Sequence, residues 1–372
     1  MEKAKITAYQ LFVLIFMFEL GSSLLLALGI GAKQDAWLAI LGGLSGGVFL
    51  YYLYFKIYSF YPGLSSVQVL SKIYGKVLGW ILVFQFGVYY LYLAARVLRD
   101  FGGMLVITAY PETPVFIANA IMILCVAYGV KKGIEVVART GEIFFVFLYL
   151  LAFMGFVLIL ASKLVELNLL KPVLENGLKP VFKSIAKETL YIPFGEAIVF
   201  FTIFPYLRDL KKVKQAGLVA ICLSGMNIAI AMVMNITVIG VEVTQRSPFP
   251  LYITIQQIQL AHFLERLDVF FMLALIIGGF FKITIYFYAA VITFTELFKI
   301  KNYQKVVYPF CLVILCASVM IAANYAEHID EGIKVVPVLL HFPFQVAVPI
   351  LTLIVVFVKE KRKKKKLKAS AS

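Results

Sequence analysis

The chain of 372 residues is 62% hydrophobic and only 15% charged, with a mean hydropathy of +0.94. A soluble domain is about half apolar and a quarter charged, so this balance excludes an ordinary soluble enzyme and describes a polytopic membrane protein. The net charge of +15 does not point to nucleic acid either: eight of the 35 basic residues lie in "KEKRKKKKLK" (359–368) and most others flank apolar runs, where they orient the chain and meet anionic membrane lipid.

A membrane crossing needs about 20 mainly apolar residues. Ten runs qualify in chain order: 8–30, 35–58, 77–108, 114–131, 134–162, 187–207, 212–241, 267–297, 304–325 and 335–358. Glycine, proline and charge punctuate the joins, as in "YPGLSS", "YPETP" and "VKKG". The first run has no A-x-A-like cleavage site and exceeds a signal-peptide core, so no cleavable leader is expected. With the N-terminus inside, inner segments carry 23 Lys and Arg and outer segments nine, which predicts that both termini are cytoplasmic. Two outer connections are long, 163–186 and 242–266; the second is apolar enough to form an ordered cap. The expected organisation is one all-α membrane domain over 1–358, with halves at about 8–162 and 187–358. A basic cytoplasmic tail, 359–372, is expected to be unfolded.

Charges inside the spans mark functional sites by default, because they are costly in hydrocarbon. In "FMFELGSSLLLAL" Glu19 lies near mid-span, about 16 Å along the first helix. Gly21, Ser22 and Ser23 follow it. In "YIPFGEAIVFF" Glu196 lies at a similar depth of span 6, beside Pro193, Phe194 and Gly195. Proline removes a helix hydrogen bond and glycine relaxes the backbone. Freed backbone survives in a bilayer only where protein buries it or where it lines a cavity. Interruptions at corresponding positions of two halves point to a transporter-type site between inverted repeats. Lys282, at the centre of span 8, is too deep to snorkel. It is expected to pair with Glu19 or Glu196 where a coupling cation would sit, with Thr284 grouped beside it.

Other features read more blandly. Arg96, Arg99 and Asp100 fall at the outer end of an over-long span and read first as a structural ion pair or an interface anchor. Tyr89, Tyr92 and Arg96 share a helix face, and an aromatic stripe is usually packing, so they are secondary ligand candidates. Cys125, Cys222, Cys311 and Cys316 lie in apolar runs without metal spacing and read as buried hydrophobes. His262, His328 and His341 are scattered near outer loops. With no phosphate-cradling loop and no nucleotide or metal motif, neither catalysis nor a cofactor is expected.

The broken segments carry a resemblance. "FELGSSLL" resembles the first helix of the amino acid–polyamine–organocation permeases. "AKQDAWLAIL", "YLAARVLRD", "LLKPVLENGLKPV", "FGEAIVFFTIFPYLRDLKKVKQ", "SPFPLYITIQQIQL" and "FLERLDVFFMLALIIGGFFKI" narrow it to the endospore germination permeases, the B subunits of nutrient-germinant receptors. The similarity runs from about residue 6 to 358. It implies a LeuT-type fold, a five-plus-five inverted repeat of ten helices with helices 1 and 6 broken. It also implies a small germinant, often an amino acid, sensed in the spore inner membrane together with A and C subunits. Carried over, the backbone of Gly21, Ser22 and Ser23 receives the ligand's carboxylate. Phe194 and Gly195 flank its amino group or side chain, and Glu196 lies beside them. The chain departs from the permeases at Ser23, where a second glycine is usual, and at Glu19, often neutral there. Glu19 serves either the ligand's ammonium or Lys282. The competing function is a proton-coupled amino acid permease; a ligand-opened channel is a third.

Overall fold

A capping box opens the first helix, α1 (Ala8–Ser23): the Thr7 hydroxyl accepts from the Gln10 amide at 3.1 Å, and the Gln10 side chain accepts from the Thr7 N–H at 3.0 Å. The computed structural model describes residues 5–207, 209–258 and 267–369. At 16 residues α1 is about 24 Å long, short of the roughly 30 Å hydrocarbon slab. The chain turns after Ser23 and re-forms as a 3-10 segment, Ile30–Asp35, leading into α2 (Ala36–Ser59). A second capping box, Ser65 with Gln68, starts α3 (Ser66–Thr108), which is kinked at Gly75. α4 (Val115–Lys132) and α5 (Ile134–Ala161) follow.

The sixth expected span is not one helix. A short α6 (Lys179–Ser184) precedes it, and the span itself is a π-turn at Ile185–Thr189 followed by 3-10 segments Phe194–Thr202 and Phe204–Tyr206. Beyond it lie α7 (Leu210–Arg246), kinked at Gly240, and α8 (Pro250–Gln256). α9 (Leu267–Leu297) comes next, followed by α10 (Gln304–Met320) and α11 (Tyr325–Lys334), the last two bent by 99°. A π-helix at Pro337–Ala347 continues into α12 (Val348–Ala369).

Seven helical stretches among the described residues are long and apolar enough to cross a membrane. The other three expected spans are the interrupted ones: α1, the 185–206 segment, and the bent α10–α11 pair. Helices 1 and 6 are thus broken as expected. α8 supplies part of the expected cap over 242–266; residues 259–266, with His262, lie outside the described residues. The tail corrects an expectation. The backbone stays helical to Ala369 instead of unfolding after Lys359. Lysine and arginine are good helix formers and suit the negative end of a helix dipole, so a helix already nucleated in the span continues through them.

α1 lies in the middle, against α5, α7 and α9. α3 runs along α9, and α2 packs on α7 and on Phe194–Thr202. α5 stands at the periphery, strongly apolar and almost unburied. That is the pattern of a lipid-facing helix.

Candidate functional site

Three central elements each contribute one charge. Glu19 projects from the last turns of α1, Glu196 from Phe194–Thr202 and Lys282 from the middle of α9. All three are buried, Glu19 and Lys282 to 0% exposure. Lys282 Nζ lies 2.6 Å from Glu196 Oε2 and 4.9 Å from the centre of the Phe18 ring, so the ammonium is held by a carboxylate and a π face together. Phe18 is fixed in turn by edge contacts with Phe200 at 5.2 Å and Tyr286 at 5.0 Å. Tyr286 lies one turn along α9 from Lys282. Of the two partners expected for Lys282, the structure brings it to Glu196.

Glu19 is left in an unusual state. Neither of its carboxylate oxygens has a hydrogen-bond partner among the described residues, although the charges of Lys282 and Glu196 both act on it. A buried carboxylate without a donor is costly. The cluster therefore carries two carboxylates for one ammonium.

The backbone beside Glu19 revises the anion-cradle expectation. Gly21, Ser22 and Ser23 are still helical and close α1, and the chain leaves the helix only at Leu24. The Ser23 hydroxyl donates to the Glu19 carbonyl at 2.6 Å, and Leu25 N–H donates to Ser22 O at 3.1 Å. A helix C-terminus presents carbonyls, and its dipole favours cations over carboxylates. Gly21 is needed for proximity: a Cβ there would lie 2.9 Å from the Gly278 carbonyl oxygen and 3.0 Å from Lys282 Cβ. It lets α1 and α9 cross at van der Waals contact, beside the charge cluster.

The second break is likewise filled. Gly195 N–H donates to Leu190 O and Tyr191 O, each at 3.1 Å, and Glu196 N–H donates to Pro193 O at 3.0 Å. Those amides are already used. Phe194 is fully buried, and a Cβ on Gly195 would run into the side-chain amide of Gln345. Tyr54 caps this turn, its hydroxyl donating to Gln345 O at 2.6 Å and Gly195 O at 3.2 Å.

Behind Gly195 lies a polar network that sequence reasoning missed in large part. Tyr89 meets His341 Nδ1 at 2.7 Å, and Gln345 Nε2 reaches the Tyr89 hydroxyl at 2.8 Å and His341 Nδ1 at 2.9 Å. Gln345 Oε1 is buried without a partner. His341 is therefore no loop histidine; it is a 2% exposed member of the 337–347 π-helix. The available signal was His341 and Gln345, four residues apart on either side of Pro343, which places both on one face of an irregular helix.

The remaining candidates lie elsewhere. Thr284 donates to its own helix, to Phe280 O at 2.6 Å. Arg96 bonds Tyr92 at 3.2 Å, Glu331 at 3.3 Å and His328 O at 2.5 Å, while Asp100 holds His328 Nε2 at 2.7 Å and Arg99 reaches Ala322 O at 3.3 Å. Together these tie α3 to α11 and the turn before it; Arg96 pairs with the Glu331 carboxylate, whereas Arg99 meets a backbone carbonyl. On another side of α1, an apolar cavity of about 350 Å³ runs between α1, α5, α7, α8 and α9 and reaches Gly21 and Gly278.

Comparison with known proteins gives the family and the fold. The spore germination protein family matches residues 5–326. Spore germination protein KB of Bacillus subtilis (strain 168) is 49% identical over 354 residues, covering 95% of each chain. Two solved structures share the fold at low identity. One is the nucleobase-cation-symport-1 family transporter Mhp1 in a closed conformation with bromovinylhydantoin bound (TM-score 0.66, 13% identity, 89% of this chain and 75% of that one). The other is MhsT in complex with L-phenylalanine (TM-score 0.68, 14% identity, 96% and 89%).

Proposed function

The chain belongs to the spore germination protein family, and from that premise we propose that it is the multi-pass B subunit of a nutrient-germinant receptor that binds a small ammonium-bearing germinant, an amino acid, at the breaks in helices 1 and 6. The observation that carries this reading is Glu19, buried and without a partner where α1 ends in carbonyls. A ligand ammonium would give Glu19 its donor and its missing charge, while Lys282 and Glu196 keep each other neutral. Gly21, Ser22 and Ser23 would supply the carbonyl end of α1, with Phe194, Gly195 and Glu196 forming the opposite wall. The receptor sits in the spore inner membrane with both termini cytoplasmic, acts with A and C subunits, and answers ligand by germination. Because the charges are fully enclosed, ligand must select a state in which α1 and the 194–202 segment part, and its affinity difference between the two states is the signal.

The test is equilibrium binding of radiolabelled amino acids to the purified chain in lipid nanodiscs. Saturable binding is expected in the wild type, with affinity lower by about tenfold or more in Glu19→Gln, the loss of one charge-assisted contact. Equal binding by both proteins would move the site elsewhere. A proton-coupled permease is the second reading, favoured by the fold shared with transporters whose solved structures hold small ligands. Concentrative uptake into proteoliposomes containing this chain alone would establish it in place of pure sensing.

A further inference from the structure

The apolar cavity between α1, α5, α7 and α9 meets the charge cluster only at the Gly21–Gly278 crossing and includes none of Glu19, Glu196 and Lys282 in its lining, and we propose that it is a binding site for one acyl chain of a membrane phospholipid. Its volume is about 350 Å³, far above what close-packed interiors leave void. Among its described lining residues only Tyr149 and Asn227 carry hydrogen-bonding side chains, and the Asn227 amide is spent on Leu223 O at 2.7 Å. None of the described lining residues is charged. Such a space does not retain water, and it offers nothing to the ammonium or carboxylate of an amino acid.

The mouth of the cavity identifies its occupant. Phe153 on the peripheral α5 is 61% exposed and Ile230 on α7 is 43% exposed, and both line the cavity, so it opens to the outside of the bundle between these two helices. In a chain that spans a bilayer, the molecules in contact with that side are acyl chains. The inner wall is Met17 and Leu275, each 3% exposed, and the floor is the Gly21–Gly278 crossing. An inserted chain would therefore pack behind the point where α1 and α9 meet, wedging the end of α1 from the side opposite the charges.

The experiment uses the full-length protein in nanodiscs containing a phosphatidylglycerol with a photoactivatable diazirine near the end of one acyl chain, followed by peptide mapping of the cross-links. Labels are expected on the buried wall, at Met17 or Leu275, as well as on exposed surface such as Leu124 of α4. Ala231→Trp, which fills the cavity, should lose the buried labels and keep the Leu124 label. Should that variant fail to fold, the wild-type pattern decides alone: labels confined to exposed residues overturn the proposal. Loss of the Met17 and Leu275 labels on adding excess phenylalanine would also overturn it, because the cavity would then hold a ligand side chain and not lipid.

Discussion

Lys282 shows how one residue sets the balance of the site. Its ammonium is shared between Glu196 and the face of Phe18 in a volume closed to water. Breaking a buried pair is costlier than removing it, because a lone buried charge remains. Lys282→Met is expected to lower the stability of the detergent-solubilised protein by about 3–5 kcal/mol, read as a fall in chemical-denaturation free energy. Glu196→Gln in the same chain should recover most of that loss, since it removes the stranded charge. If the double variant is no better than Lys282→Met, the pair is not the structural unit described. Glu19→Gln is expected to behave in the opposite way: it should leave stability unchanged or raise it, because the native carboxylate has no donor to lose. That outcome would match the proposed role of Glu19, a carboxylate whose donor is the ligand.

At the scale of an element, the two breaks differ in kind. α1 ends in an ordinary helical turn carrying Gly21, Ser22 and Ser23, whereas the sixth segment is π and 3-10 from Ile185 to Tyr206. Gly195 permits the second geometry by leaving room for Gln345. Gly195→Ala is therefore expected to abolish the germination response while the protein still reaches the membrane, and Gln345→Ser should restore part of it. Restoration failing in the double variant would mean that Gly195 matters for its backbone and not for the contact. α11 makes a separate prediction. Asp100 and Arg96 hold it through His328 and Glu331, so Asp100→Asn should speed amide exchange across Tyr325–Lys334 and leave α4 unchanged. Equal exchange would show that the link to His328 does not restrain the helix.

For the whole molecule, one fold serves two functions that chemistry in the site alone does not separate. On the proposed reading, a sensor and a permease would both bind ligand between α1 and the 194–202 segment. They differ in whether the ligand leaves on the other side, which uptake by the isolated chain measures. A sensor is expected to bind labelled amino acid without accumulating it, and accumulation against a gradient would identify a permease. The lipid-facing cavity matters at this scale as well, because it couples the surrounding bilayer to the same α1–α9 crossing that borders the charges.

Local chemistry made much of this legible beforehand. Run length and hydropathy locate the spans because a bilayer leaves each backbone group no partner outside its own helix. A mid-span Glu19, Glu196 or Lys282 stands out because each is expensive there. Only the tertiary structure decided the pairings: Lys282 with Glu196, Asp100 with His328, and Tyr89 with His341 and Gln345. It also decided that Gly21–Ser23 end a helix instead of starting one, which reverses the dipole they present. Those facts depend on which helices cross and at what height, and contacts between residues hundreds of positions apart leave no trace in local periodicity.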